Sequence, residues 1–176
     1  MSHGLPGHSV EDGLSTAMRL LIHYAGDVHQ PLHATSRVDK EYPEGDRGGN
    51  DFPLPSKEGA KNLHAVWDSV IYEFTGYGQL PFTADDWTKN GADAQKLVAA
   101  HPIGDEGKDL NVLDWANQSF QIAEDFVYAH IKEGDALPDD YLDQAKTYAE
   151  KQIVLGGTRL ANLLMSLKLE SAVPSE

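Results

Sequence analysis

The sequence predicts an all-α protein, a single bundle of about five helices with one loop-rich insertion. Apolar residues recur at helical spacing along most of the chain, and seven glycines and prolines concentrate in residues 34–60. The 176 residues are enough for one domain with a sizeable core, and they contain no internal repeat or separating linker. We therefore expect a flexible lead over residues 1–9, one helical domain over 10–169 and a frayed tail over 170–176.

The first helix is expected from about Val10 to Gln30. Pro31 lacks a backbone N–H and disfavours helical geometry at the residue before it, so the helix should end or bend near Gln30. At about 100° per residue, the apolar residues of this helix fall on one stripe that should face the core. That stripe contains Val10, Leu14, Met18, Leu21, Ala25 and Val28.

Histidines and an aspartate mark the other side of this helix and the turn after it. His23 and Asp27 lie about 40° apart, roughly opposite the apolar stripe. The bend at Pro31 can swing His33 back toward the same cleft. His29 lies close to the core-side stripe, so it is predicted to be a packed histidine and not a ligand.

The insertion over residues 34–60 is expected to be a long loop with a short strand around Asp51–Leu54. Its GDRGGN segment contains paired glycines, which favour a tight turn or a close approach of the backbone to a ligand. A second helix is predicted from about Lys61 to Phe74, with His64 and Asp68 on one flank. Its core stripe contains Leu63, Val66, Trp67, Val70 and Phe74.

Three further helices complete the predicted bundle. Thr83 is a suitable N-cap for a helix that runs to about residue 100. The next helix is expected from about Leu110 to Lys132, and the last from about Pro138 to Leu169. Gly156-Gly157 in the last helix costs about 1 kcal/mol per glycine relative to alanine, so we expect another helix to pack closely there. The helix predicted from about Leu110 to Lys132 has a core stripe that contains Leu113, Phe120, Val127 and Ile131.

The composition excludes several classes of site. Fourteen Lys and Arg against 28 Asp and Glu give a formal net charge of −14, so the chain should not bind polyphosphate by a basic surface. If a phosphate ester is the substrate, bound metal ions must supply the positive charge. Without cysteine, histidine and carboxylate are the remaining strong ligands, and they suit zinc and harder divalent ions. No apolar run approaches the roughly 20 residues of a membrane span.

Two His-x-x-x-Asp pairs form the candidate metal site. In each pair the two side chains project from one helical face, so both can reach a single ion. A single pair is more often solvated and is then worth a few tenths of a kcal/mol. Two pairs and the additional His33 are stronger evidence for a site that binds several metal ions. Closely spaced metal ions can hold both the attacking and the leaving oxygen in phosphoester cleavage. His3 and His8 are predicted to be solvated.

Three segments in this order, HYAGDVHQPLHA, GDRGGN and NLHAVWD, resemble the class I zinc-dependent nucleases of fungi and plants, the S1/P1 type. The later segments DWANQSFQIAEDFVY and AEKQIVLGGTRLANLL resemble the last two helices of that family, so the resemblance covers about residues 14–167. It implies a mostly helical protein that binds three zinc ions in a cleft. It further implies hydrolysis of single-stranded DNA and RNA by metal-activated water, and removal of the 3′-phosphate of nucleotides.

The resemblance also implies roles for individual residues. His33, His64 and Asp68 would form the complete protein ligand set of one isolated zinc, which binds phosphate and steadies the leaving oxygen. Gly49 and Asn50 would lie beside that zinc and contact the substrate phosphate. His23 and Asp27 would belong to a paired zinc site that activates water, with Asp27 as the catalytic residue that bridges its two ions.

The paired site is only partly represented, because the family's N-terminal metal ligands have no counterpart in this sequence. The usual cysteines and export signal of the family are also missing. We therefore expect a fragment, one piece of a two-chain protein, or a remnant of the family. A partner chain or an oligomer would then complete the site and cover exposed apolar surface. Localisation stays open: the family is usually secreted, whereas this N-terminus lacks the pattern of a signal peptide.

Two alternatives to a nuclease stay open. The first is a non-catalytic structural or interaction subunit that holds one zinc or no metal, in which His23 and Asp27 form a solvated ion pair. The second is a zinc-dependent hydrolase of the phospholipase C type, which shares the helical trinuclear design. Hydrolysis of phospholipid or of single-stranded nucleic acid would separate the second alternative from the nuclease.

Overall fold

The computed structural model describes residues 10–74, 81–129 and 131–167, and those ranges contain five α-helices and one two-stranded antiparallel sheet. The all-α prediction is confirmed. The helices are α1 (Val10–Asp27), α2 (Leu63–Asp68), α3 (Ala84–Ala100), α4 (Val112–Ile122) and α5 (Asp139–Ser166), and the strands are β1 (Pro53–Lys57) and β2 (Ala60–Asn62). The predicted lead with His3 and His8, the predicted tail, and residues 75–80 lie outside the described residues.

Shorter turns connect these elements. A 3₁₀ turn over Pro31–His33 follows α1, another over Asp105–Lys108 precedes α4, and a π turn over Ala123–Val127 continues α4. The predicted strand lies two residues later than expected and pairs with β2, with Pro53 opposite Asn62. Asn62 then caps α2 by accepting the Ala65 N–H, so the hairpin sets where α2 begins.

Helix α2 is shorter than the sequence predicts, because it ends at Asp68 and not near Phe74. Val70, Ile71 and Tyr72 have φ angles of 52°, 55° and 70°, and this left-handed geometry cannot continue a right-handed helix. The apolar stripe nevertheless reaches the core, since Val70 is buried and Phe74 packs against the core. Apolar spacing predicted the packing here but not the end of the helix.

The core lies where α2 meets the π turn and α5. Phe126 stacks on Tyr141 with ring centroids 5.0 Å apart, and it meets Trp67 edge to face at 6.3 Å. The Tyr141 hydroxyl accepts the Trp67 indole N–H and donates to the Val127 carbonyl, so the buried polar atoms are paired. The core therefore holds α2 firmly against the C-terminal helices.

Two predicted core stripes are partly wrong. In α1, which ends at Asp27 and not near Gln30, Ala25 is buried but Leu14 is 46% exposed, because no described segment covers the beginning of the helix. In α4, Leu113 is 74% exposed and Phe120 is 40% exposed, whereas Val127 is buried. A π turn takes up one extra residue, so it rotates Val127 away from the face of Leu113 and Phe120. The buried face of this segment contains Trp115, Ser119 and Ala123.

Helices α3 and α5 lie close to their predicted positions. Thr83 caps α3 as predicted, since its hydroxyl oxygen accepts the Asp86 backbone N–H, and the Asp86 carboxylate accepts the Thr83 backbone N–H, which completes a capping box. Helix α5 runs over Asp139–Ser166, so Pro138 is its N-cap and the helix ends before Leu169. None of the helices in the described ranges has the length and apolar character that a membrane crossing requires.

His29 is a packed histidine, as the sequence predicts, and it is only 3% exposed. Its Nδ1–H donates to the Ala25 carbonyl at 2.7 Å, and its Nε2 accepts an N–H of the buried Arg159 at 3.1 Å. Gly156 lies directly against the ring, since an added Cβ would be 3.0 Å from His29 Cγ. The sequence predicts that another helix packs closely against both glycines. The close contact is instead made by a side chain that follows α1, and of the two glycines only Gly156 makes it.

The two neighbouring glycines of α5 give a matched test of this packing. Gly156→Ala should destabilise the protein, because both nitrogens of His29 are held and its ring cannot move aside. Gly157→Ala should stabilise it by about 0.5–1 kcal/mol, since an added Cβ meets nothing within 4 Å and alanine favours the helix. Urea denaturation measures both free energies of unfolding, and equal effects of the two substitutions would contradict this packing.

His29 should also make stability depend on pH. Burial, with the positive charge of Arg159, lowers the pKa of His29 from its ordinary value of 6.5. As the pH falls below that value, the unfolded chain binds a proton that the folded chain does not, so the free energy of unfolding decreases by at most about 1.4 kcal/mol per pH unit. Urea denaturation at pH 7.5 and 5.5 should show a smaller decrease for His29→Gln. The same decrease in both proteins would contradict the assignment.

Candidate metal centre

Three predicted ligands converge at one point of the structure. His33 belongs to the 3₁₀ turn after α1, whereas His64 and Asp68 lie four residues apart on α2. His33 Nε2 is 3.2 Å from Asp68 Oδ1, and His64 Nε2 is 3.3 Å from Asp68 Oδ2. One ligand atom from each residue lies within 4.8 Å of the others, and the two imidazole rings are stacked. Two imidazoles and one carboxylate are a donor set that fits a divalent metal ion.

His64 is oriented by the glycine-rich turn. Its Nδ1–H donates to the Gly48 carbonyl at 2.8 Å, so Nε2 faces Asp68. Gly48 has φ of 63°, and an added Cβ would lie 2.2 Å from the Leu32 carbonyl oxygen. Only glycine therefore lets this turn pass between the two segments that bear the ligands. The hydrogen bond from His64 to Asp68 raises the pKa of His64.

Asp68 is held as a carboxylate. Partial burial alone would raise its pKa, but hydrogen bonds from His64 and Gln30, and the nearby charge of His33, hold the pKa of Asp68 at about 2. Gln30 Nε2 donates to Asp68 Oδ1 at 2.8 Å. Asp68 is therefore ionised across the neutral pH range, which is the form that binds a metal ion.

The second predicted pair adjoins this cluster. His23 Nε2 lies 3.1 Å from Asp27 Oδ2, and Asp27 Oδ1 lies 3.8 Å from His33 Nδ1. The five predicted ligands thus form one continuous row of contacts, from His23 through Asp27 and His33 to the α2 pair. Among the described residues, only His33, His64 and Asp68 bring three ligand atoms together within 4.8 Å.

The two predicted substrate residues lie in the turn behind the cluster. The Gly49 carbonyl accepts the backbone N–H of His64 at 3.2 Å, so Gly49 supports the beginning of α2. The Asn50 side chain donates to the Arg47 carbonyl of its own turn at 3.0 Å. The structure therefore gives both residues a structural role, and their contact with substrate phosphate stays a prediction.

Sequence reasoning missed two residues that support this site. Asp46, fully buried, accepts the Arg37 backbone N–H at 2.9 Å and the Tyr128 hydroxyl at 2.8 Å, which fixes the GDRGGN turn. Burial and the Asp46 carboxylate also raise the pKa of Tyr128. The sequence indicates Gln30 only as the position near which the first helix ends. An acid in a polar loop and a glutamine before proline do not stand out in a sequence, because both are common in solvated turns.

A cleft of about 350 Å³ opens beside the cluster. His33 and Asp68 contribute to it, together with apolar side chains from α1, α5 and the segment around α2. A largely apolar cleft with a few polar groups at one end is typical of small-molecule sites. Its apolar lining includes Ile22, Trp67, Val70, Ile153 and Leu160.

Comparison with known proteins gives one consistent result. The family model for S1/P1 nuclease matches residues 6–168 of this chain. Endonuclease 2 of Arabidopsis thaliana is 30% identical over 159 residues, covering 86% of this chain and 51% of that protein. Nuclease P1 of Penicillium citrinum is 29% identical over 158 residues, covering 83% of this chain and 55% of that protein. The chain thus spans about half the length of the curated relatives it matches, and it belongs to the S1/P1 nuclease family.

Proposed function

We propose that this chain provides zinc ligands and part of the cleft for a phosphodiesterase that acts on single-stranded DNA or RNA and on 3′-nucleotides. The convergence of His33, His64 and Asp68 from two separate segments carries the proposal. Membership of the S1/P1 nuclease family supports nucleic acid as the substrate, since the curated relatives are named as endonucleases and nucleases. The zinc dependence rests on the donor set, two imidazoles and a carboxylate without thiolate.

The side chains are arranged for metal binding before any ion arrives. His64 presents Nε2 toward Asp68 because the Gly48 carbonyl accepts its Nδ1–H, and Asp68, whose pKa is held at about 2, accepts the Gln30 amide N–H. Asp27 lies between His23 and His33, where its carboxylate can contact ligands on both sides. Bound zinc supplies Lewis-acid polarisation of phosphoryl oxygens and lowers the pKa of water.

The charge of the chain supports a role for metal in substrate binding. With a formal net charge of −14, the protein repels a polyanion, so a phosphodiester needs positive charge concentrated at the site. The cleft of about 350 Å³ adjoins the ligands, and its apolar walls suit the flat face of a base. We propose that the phosphate faces the His and Asp cluster while a base or sugar occupies this cleft.

A single-zinc subunit without catalysis is the second candidate. One observation favours it: in the described part of the chain, three ligand atoms come together only at His33, His64 and Asp68, whereas His23 and Asp27 form a pair. One ion at the complete set would stabilise the fold by binding to the native state. The two candidates differ in the number of zinc ions bound and in cleavage.

Zinc content and cleavage of circular single-stranded DNA test both candidates. If the purified protein forms the whole nuclease site, it contains zinc and cleaves the DNA. Asp68→Ala should reduce the bound zinc and slow cleavage by at least about 100-fold, because it removes a charged ligand. Asp85→Ala, which removes the same charge from exposed α3, should leave both unchanged.

The outcomes separate the candidates. One zinc per chain, lost in Asp68→Ala and without cleavage, would support the non-catalytic subunit. Hydrolysis of phosphatidylcholine instead of DNA would favour the phospholipase C alternative. Absence of zinc from the wild-type protein would contradict every metal-dependent function and leave a helical interaction module.

A further inference from the structure

Gln30 contacts both segments that bear the candidate ligands. It lies just before the 3₁₀ turn that carries His33, and its side-chain oxygen accepts the Leu32 backbone N–H at 2.5 Å. The other end of the amide, Nε2, donates to Asp68 Oδ1 at 2.8 Å. A backbone N–H can bond only to the amide oxygen, so the NH₂ group must face Asp68.

This position makes the two contacts interdependent. Pro31 and Leu32 are buried, which anchors the turn, and the hydrogen bond to Leu32 in turn fixes the Gln30 side chain. The Asp68 side chain, by contrast, is 48% exposed on the last residue of α2, where solvent would allow it other rotamers. Gln30 therefore supplies a fixed donor to an otherwise mobile carboxylate.

The bond to Gln30 also determines what Asp68 faces. Oδ1 receives the amide N–H and lies 3.2 Å from His33 Nε2, while Oδ2 lies 3.3 Å from His64 Nε2. The carboxylate thus points between the two imidazoles, as a shared metal site needs. Outer hydrogen bonds of this kind commonly orient metal ligands and contribute to metal affinity.

We propose that Gln30 is a positioning residue that holds the Asp68 carboxylate toward the two histidines and thereby raises the affinity of the site for a divalent metal ion. This inference rests on the proposed zinc-binding function. Gln30 does not touch the ion in this account, and it acts only through Asp68 and the turn that carries His33.

Two substitutions distinguish the hydrogen bond that Gln30 donates to Asp68 from the one that it accepts from the Leu32 N–H. Gln30→Met removes both hydrogen bonds at similar side-chain volume. Gln30→Glu keeps an oxygen for the Leu32 N–H but cannot donate to Asp68 as a carboxylate. Gln144→Met is the matched control, because Gln144 is exposed on α5 and its amide donates within that helix, to the Asp140 carbonyl.

Zinc affinity by chelator competition and the visible absorption of the Co²⁺-loaded protein test the proposal. Gln30→Met should weaken zinc binding by about 10- to 100-fold, and Gln144→Met should leave it unchanged. Both Gln30 variants should alter the Co²⁺ spectrum, which reports coordination geometry. For Gln30→Glu the spectrum is the informative measurement, since the added negative charge attracts cations on its own.

Each remaining outcome overturns something specific. Wild-type zinc affinity in a folded Gln30→Met protein, or a wild-type Co²⁺ spectrum in Gln30→Glu, would overturn the positioning role and leave the proposed function intact. A Gln30→Met protein that does not fold leaves the Gln30→Glu spectrum to decide. Absence of zinc binding by the wild-type chain would overturn the proposed function and this inference with it.

Discussion

The buried ring of His29 fixes the turn on which the candidate site depends. His29 is held by the Ala25 carbonyl, by Arg159 and by contact with Gly156 on α5. Gln152 donates to the His29 carbonyl at 3.0 Å, and Ser119 donates to the Val28 carbonyl at 2.6 Å. The chain that leaves α1 is therefore bonded to both α4 and α5, and these buried polar groups are costly to leave unpaired.

The same turn places candidate metal ligands beside the cleft while its buried residues hold it in position. His29 is buried, whereas the more exposed Asp27 and His33 contact each other at the cleft, and His33 reaches Asp68 of α2. The GDRGGN turn supports the ligands from the other side. Asp46 fixes the turn, and the Gly48 carbonyl accepts the ring Nδ1–H of His64. A rigid scaffold of this kind keeps ligand atoms within reach of one ion without the ion's help.

The sequence predicted which side chains come together at the candidate site more closely than it predicted the ends of the helices. Four-residue spacing placed His64 and Asp68 on one face of α2, and Pro31 indicated where the chain turns toward His33. The left-handed backbone at Val70–Tyr72 and the π turn after α4 left no periodic mark, since both depend on tertiary contacts. The sequence did not indicate the roles of Gln30 and Asp46, because those roles depend on hydrogen bonds to residues far away in the chain.

The proposed function requires that His33, His64 and Asp68 together hold one zinc ion. Diffraction from crystals of the zinc-loaded protein, recorded on both sides of the zinc absorption edge, tests it most directly. We expect an anomalous peak bounded by the two imidazoles and the Asp68 carboxylate, whatever the occupancy near His23 and Asp27. Anomalous peaks only at other positions, or no peak in protein saturated with zinc, would contradict it.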